Sequence, residues 1–197
     1  MRKLKFFDKN ITVTSDIYDT HIMDRSNWFG DVPPFTNLEL NILAICNRKC
    51  FFCPKSNHRL FPNRGELMSL EFYERLMKDL ATVNFKGRIS FCGLSEPFMH
   101  KDLRKLVEKT KQYCPKSYLD ILTNGDFLTV ENTVELFKSG LDNIKVSMYD
   151  GPEQIPHFKK IQRECGLNDL QFVIRERYLS AEKSFGLTIN NRGGIVN

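Results

Sequence analysis

"YLDILTNGDFLTVENTVELFKSGLDNIKVSM", residues 118–148, sets two short apolar runs on either side of one helical pattern. YLDILTN (118–124) and NIKVSM (143–148) are too short and too continuously apolar for amphipathic helices, and read as buried strands. Between them, TVENTVELFKSG (129–140) opens with Thr129 as N-cap and stops at Gly140. A helix between two such strands carries the chain back along the sheet, so the strands run parallel.

The same unit repeats outward in both directions. Upstream, LELNILAI (38–45) reads as a strand. SLEFYERLMKDLATV (69–83) follows as a helix capped by Ser69, with Leu70, Tyr73, Leu76, Met77, Leu80 and Val83 on one face. RISFC (88–92) is a strand, and DLRKLVEKTKQYC (102–114) a helix turning Leu103, Leu106, Val107 and Tyr113 inward. Downstream, PEQIPHFKKIQREC (152–165) starts with Pro152 at a tolerated first-turn position and ends before Gly166. LQFVIRE (170–176) is a fifth strand and LTIN (187–190) the candidate for a sixth. Five or six strand–helix units are too few for an eight-stranded barrel. The expected fold is therefore α/β, a partial (β/α)6-type TIM barrel with parallel strands inside and helices outside, its last unit either at 187–190 or missing. Residues 1–36 show no sustained period and run into FGDVPPFTN (29–37), whose Gly and paired Pro break regular structure. They read as an N-terminal extension, and 37–197 as the core domain.

Composition narrows the function classes. With 41% hydrophobic and 12% aromatic residues, 197 residues suffice for one well-buried domain. No signal-peptide pattern and no run of membrane-spanning length occurs, so the reading is a soluble, cytoplasmic chain without a membrane partner. The net charge of +5 comes from 29 basic and 24 acidic residues interspersed along the chain, which argues against nucleic acid. The densest basic stretch, HFKKIQR (157–163), reads as the solvated face of a helix whose inward residues are Ile155, Phe158 and Ile161. His58 and His100 read as surface or loop residues, His100 as a helix cap. In a reducing compartment, clustered cysteines mean metal or redox chemistry rather than a disulfide. Cys92, Cys114 and Cys165 are dispersed and read as small buried hydrophobes.

In parallel α/β sheets functional groups gather at the carboxyl ends of strands. There stand Cys46, Cys50 and Cys53 after strand one, GLSEP (93–97) after strand two and TNG (123–125) after strand three. Ser147 ends strand four, and Arg175 and Glu176 lie on strand five. The cysteines fall in CNRKCFFCP (46–54). Ferredoxin clusters take four cysteine ligands, so three would leave one iron with an open position. A second reading of the same residues adds His58 to make a Cys3His zinc site in an interaction module.

C-x3-C-x2-C with Phe52 before the last cysteine resembles the signature of the radical S-adenosylmethionine (radical SAM) superfamily, over about residues 37–192. The resemblance implies that Cys46, Cys50 and Cys53 hold a 4Fe-4S cluster whose fourth iron is chelated by S-adenosylmethionine. It also implies reductive cleavage of that cofactor to a 5′-deoxyadenosyl radical, which takes hydrogen from a substrate. GLSEP resembles the family's Gly-Gly-Glu-Pro motif: Gly93, Glu96 and Pro97 match, while Leu94 and Ser95 depart from it. The motif implies that Glu96 and the backbone around Ser95 receive the methionine ammonium. Phe52 would flank the adenine, Ser147 would contact the ribose, and Arg175 the carboxylate or ribose. Asn124 within TNG, together with GELMS (65–69) and NNRGG (190–194), is similar to the SPASM/twitch branch, which modifies peptides, proteins and small metabolites. Implied partners are an electron donor such as flavodoxin or ferredoxin, and a peptide or protein substrate or a partner completing the barrel. That branch continues with a cysteine-rich extension, whereas no cysteine follows Cys165. The expectation is thus a minimal, shortened or split enzyme, or a non-catalytic scaffold, with no acid, base or hydrogen-atom donor named by the sequence.

Overall fold

The computed structural model describes residues 35–50 and 53–178. Phe52, the candidate sixth strand at 187–190, NNRGG (190–194) and nearly all of the N-terminal extension lie outside the described residues.

Five strands form one sheet: β1 (Asn37–Leu40), β2 (Arg88–Phe91), β3 (Tyr118–Thr123), β4 (Asn143–Met148) and β5 (Phe172–Glu176). All neighbours are parallel, and spatial order equals chain order. The crossovers carry α1 (Leu70–Thr82), α2 (Leu103–Tyr113), α3 (Val130–Lys138) and α4 (Ile155–Glu164). Strands added always on the same side give the winding of a barrel, whereas a doubly wound sheet reverses its order. Among the described residues the pairing ends at β1 and β5, so the sheet is an open arc, a partial barrel.

Register separates the two faces. Ser90 stands beside Asp120, Leu122 beside Lys145 and Ser147 beside Arg175. The alternate residues Ile89, Phe91, Leu119, Ile121, Ile144 and Val146 are fully buried and belong to one core with Tyr73, Met77, Leu106 and Phe158 of the helices. Burying each such side chain contributes roughly 1.5–3 kcal/mol. The other face is polar, and Arg88, Ser90, Asp120, Lys145 and Ser147 are all buried there. Asp120 accepts from Arg88 Nε at 2.7 Å and Nη2 at 2.9 Å, and pairs with Lys145. A fully buried carboxylate persists there because two cations compensate it.

The helix starts match their local chemistry. Ser69 Oγ accepts from the Phe72 N–H at 3.1 Å, and Thr129 forms a reciprocal capping box with Asn132. Three expectations are corrected. The ladder of the first strand stops at Leu40 rather than continuing to Ile45. Leu43 instead bridges Leu67 in antiparallel sense, and the Met68 N–H donates to the Ile42 carbonyl at 2.9 Å, so GELMS (65–69) pairs with this run. An apolar run does not say which partner satisfies its backbone. The helix foreseen over 152–165 opens with a separate 3-10 turn, Pro152–Gln154, before α4. His100 does lie in the loop before α2, with Nδ1 accepting from the Asp102 N–H at 3.1 Å, but it is not on the surface: it is buried, at 4% exposure, and Nε2 bonds the Met68 carbonyl at 3.0 Å.

Candidate active site

The loop after β1 carries all three clustered cysteines to the carboxyl-end rim. They line one cleft that is open to solvent. Gly93, Ser95 and Glu96 reach it from the end of β2, Asn124 from the end of β3, and Ser147 from β4. Pro97 lies behind the cleft, buried, where it opens the 3-10 turn Pro97–Met99. Arg175 is not among the cleft-lining residues but stands in register beside Ser147 on β5.

The turn after β2 has a backbone reason. Gly93 has φ +122°, and a Cβ there would sit 2.7 Å from Asn41 Oδ1, so the position demands glycine. The same Asn41 oxygen accepts from Ser95 Oγ at 2.6 Å, which orients the segment that presents Glu96. Glu96 is 1% exposed and its carboxylate accepts from Thr123 Oγ1 at 2.7 Å, the Asn124 N–H at 2.8 Å and the Phe98 N–H at 3.2 Å. Burial raises its pKa above the ordinary carboxylate range, against the pull of these donors. Three donors on a group with about four acceptor sites leave room for one more partner from the cleft.

The cysteine loop is tied from several sides. Asn63 holds Cys46 in both directions, accepting from its N–H at 3.1 Å and donating to its carbonyl at 2.9 Å. Arg48, between the first two cysteines, donates to Asp126 through Nε at 2.6 Å and Nη2 at 2.5 Å, and to Asp150 through Nη1 at 2.7 Å and Nη2 at 2.8 Å. These carboxylates follow β3 and β4, so one guanidinium bolts the loop to two other strand ends. Hydrogen bonds from Arg48 hold Asp126 below the ordinary carboxylate range. Asn47 joins in, donating to Asp126 at 2.6 Å and accepting from Asn124 Nδ2 at 2.8 Å. Lys55, just past Cys53, is buried and donates to Ala44 O at 2.6 Å, Pro62 O at 3.0 Å and Asn63 Oδ1 at 3.2 Å.

The donor chemistry fits an iron–sulfur centre. Cys46, Cys50 and Cys53 are partly exposed thiols facing one cleft, whereas Cys92 and Cys114 are buried. Burial pushes the Cys92 thiol up to about 11, away from thiolate chemistry. Among the described residues no three His, Cys, Asp or Glu side chains converge on the position of a single ion. His58, the fourth ligand of the zinc alternative, is exposed and outside the cleft lining.

Comparison with known proteins agrees with this arrangement. The Radical SAM superfamily profile matches residues 40–175. The S-adenosyl-L-methionine-dependent 2-deoxy-scyllo-inosamine dehydrogenase of Niallia circulans is 33% identical over 162 residues, 82% of this chain and 61% of that protein. A probable GTP 3′,8-cyclase of Thermococcus kodakarensis is 32% identical over 152 residues, 76% of this chain and 47% of that one. The crystal structure of BtrN in complex with AdoMet and 2-DOIA superposes with a TM-score of 0.63 at 28% identity, covering 72% of this chain and 56% of that one. BtrN in an open conformation gives 0.58 at 29% identity, covering 77% and 59%. The chain belongs to the radical SAM superfamily. The cofactors that go with membership are a 4Fe-4S cluster and S-adenosylmethionine. The chain spans about half to three-fifths of the length of these relatives.

Sequence reading missed Arg48, Lys55, Asp126 and Asp150. A charged residue between clustered cysteines was the available signal for Arg48. Nothing local distinguishes Asp126 or Asp150 from ordinary loop aspartates.

Proposed function

We propose that this chain is the core of a radical SAM enzyme that abstracts hydrogen from a small, polar, hydroxylated metabolite. The observation that carries the reading is the single cleft in which Cys46, Cys50 and Cys53 meet Gly93, Glu96, Asn124 and Ser147. Cys46, Cys50 and Cys53 would hold the cluster. When bound, the cluster and S-adenosylmethionine together supply a reductively generated 5′-deoxyadenosyl radical. The chain's own residues bind and orient. The remaining acceptor site of Glu96 is suited to the methionine ammonium, a charge-assisted contact strengthened by burial. Ser147 and Arg175, neighbours across β4 and β5, present a hydroxyl and a guanidinium suited to ribose and carboxylate. Phe52, next to Cys53 in sequence, is the residue proposed to flank the adenine. A polar metabolite is favoured over a peptide by relatives whose names specify an inosamine and GTP. The electron comes from a reduced flavodoxin or ferredoxin. Among the described residues no helix is long and apolar enough to cross a membrane.

The test is anaerobic reconstitution of wild type and Cys50→Ala with iron and sulfide. S-adenosylmethionine and dithionite follow, with 5′-deoxyadenosine read by chromatography and aminocyclitols offered as substrates. Wild-type-only product, rising with an aminocyclitol, supports the proposal. A bound cluster that never yields 5′-deoxyadenosine would return the chain to a scaffold role.

A further inference from the structure

Lys55 is an anomaly of charge. Lysine is almost never fully buried without an anionic partner, yet this side chain is 6% exposed and its three hydrogen-bond acceptors are all neutral. No carboxylate forms an ion pair with it among the described residues. The other charges of the cleft are arranged differently: Arg48 is matched by two aspartates, and Glu96 is held by a hydroxyl and two backbone N–H groups. Lys55 lines the same cleft as all three clustered cysteines and lies two residues beyond Cys53. With no carboxylate partner among the described residues, this buried cation stands beside three groups that become thiolates when they take metal.

We propose that Lys55 is the fixed countercharge of the three-cysteine centre, stabilising the metal-loaded thiolates and favouring the reduced form of the cluster. This rests on the assignment of Cys46, Cys50 and Cys53 to a cluster. Reduction adds one negative charge to the centre. An immobile positive charge in low-dielectric surroundings therefore stabilises the reduced state more than the oxidised one and raises the midpoint potential. The neutral acceptors suit this role. They fix the ammonium and satisfy its protons while leaving its charge uncancelled.

The experiment compares wild type, Lys55→Gln and Lys55→Arg by potentiometric titration of the reconstituted cluster, without S-adenosylmethionine, read by electron paramagnetic resonance. The expected result is a more negative midpoint for Lys55→Gln and a near-wild-type midpoint for Lys55→Arg. A purely loop-stapling lysine would leave the midpoint of Lys55→Gln unchanged while lowering thermal stability, and that result overturns the proposal. Should Lys55→Gln fail to hold a cluster, cadmium(II) titration of the cluster-free chains, followed by the thiolate-to-metal ultraviolet band, decides. Roughly tenfold weaker binding by Lys55→Gln, with Lys55→Arg near wild type, supports the countercharge. Equal affinities overturn it. A wild type that takes up no cluster would fail differently, removing the functional reading itself and this inference with it.

Discussion

Arg48 and Asp126, 78 residues apart in sequence, are joined side by side through Nε–H···Oδ2 at 2.6 Å and Nη2–H···Oδ1 at 2.5 Å. The paired geometry fixes the direction as well as the distance of the cysteine loop relative to β3. Asp150 extends the grip to β4.

Loss of that grip should show in metal loading before activity. Arg48→Ala is expected to lower iron bound per chain after reconstitution and to raise amide exchange over residues 46–50. The stability cost should be modest, about 1 kcal/mol, since the guanidinium and its partners are partly exposed. Arg48→Lys should rescue little, because an ammonium cannot make the paired contact with Asp126. Unchanged exchange in this loop would show that other contacts set its position.

The pH dependence follows from Asp126. Its folded-state pKa lies below the unfolded value of about 3.8, so its contribution is complete above that value and is lost as pH falls through the lower, folded one. Acid titration of cluster-free protein should therefore lose an increment of stability below about pH 4 in wild type. Arg48→Gln should lack that increment, a difference measurable as melting temperature against pH.

Gly93 tests the backbone of the glutamate-bearing turn. Gly93→Ala combines a φ of +122° with a Cβ 2.7 Å from Asn41 Oδ1. A destabilisation of about 1–3 kcal/mol is expected, lowering the melting temperature by about 2–4 °C per kcal/mol for a chain this long. Calorimetry of the cluster-free protein measures it.

Asp120→Ala should be the most damaging of these changes. It leaves Arg88, 8% exposed, and Lys145, 5% exposed, as buried cations that have lost their shared carboxylate. About 3–5 kcal/mol is expected, read as a lower urea midpoint at unchanged slope. Asp120→Asn, which keeps the shape and one acceptor, should cost less. Equal losses would mean that packing rather than charge holds this face.

The architecture was legible where a single physical signal dominated. Apolar runs of strand length gave β2, β3 and β4, and the hydroxyls of Ser69 and Thr129 marked helix starts because they do hydrogen-bond the first turn. The run at 38–45 misled because burial alone does not specify pairing, and half of it bonds residues 66–68 instead of β2. The cysteines and the glutamate turn were visible as local motifs. The groups that hold them in place were not, since Arg48 finds Asp150 across 102 residues and no local pattern records a contact of that span. Nothing in the sequence around Lys55 marks it as buried, its burial arising only when the loop closes over it.

The span between Arg48 and its two carboxylates also imposes a sequence of events. The cysteines are made first, yet the second of the two aspartates that orient their loop, Asp150, lies 102 residues beyond Arg48. Until β3 and β4 have both been synthesised and laid against the growing sheet, the guanidinium lacks one or both of its carboxylates. The loop then lacks the geometry that gathers its thiols. Maturation of the centre thus belongs after the folding of four strands, and a nascent chain stalled before residue 126 would offer its cysteines to metal only as a loose ligand.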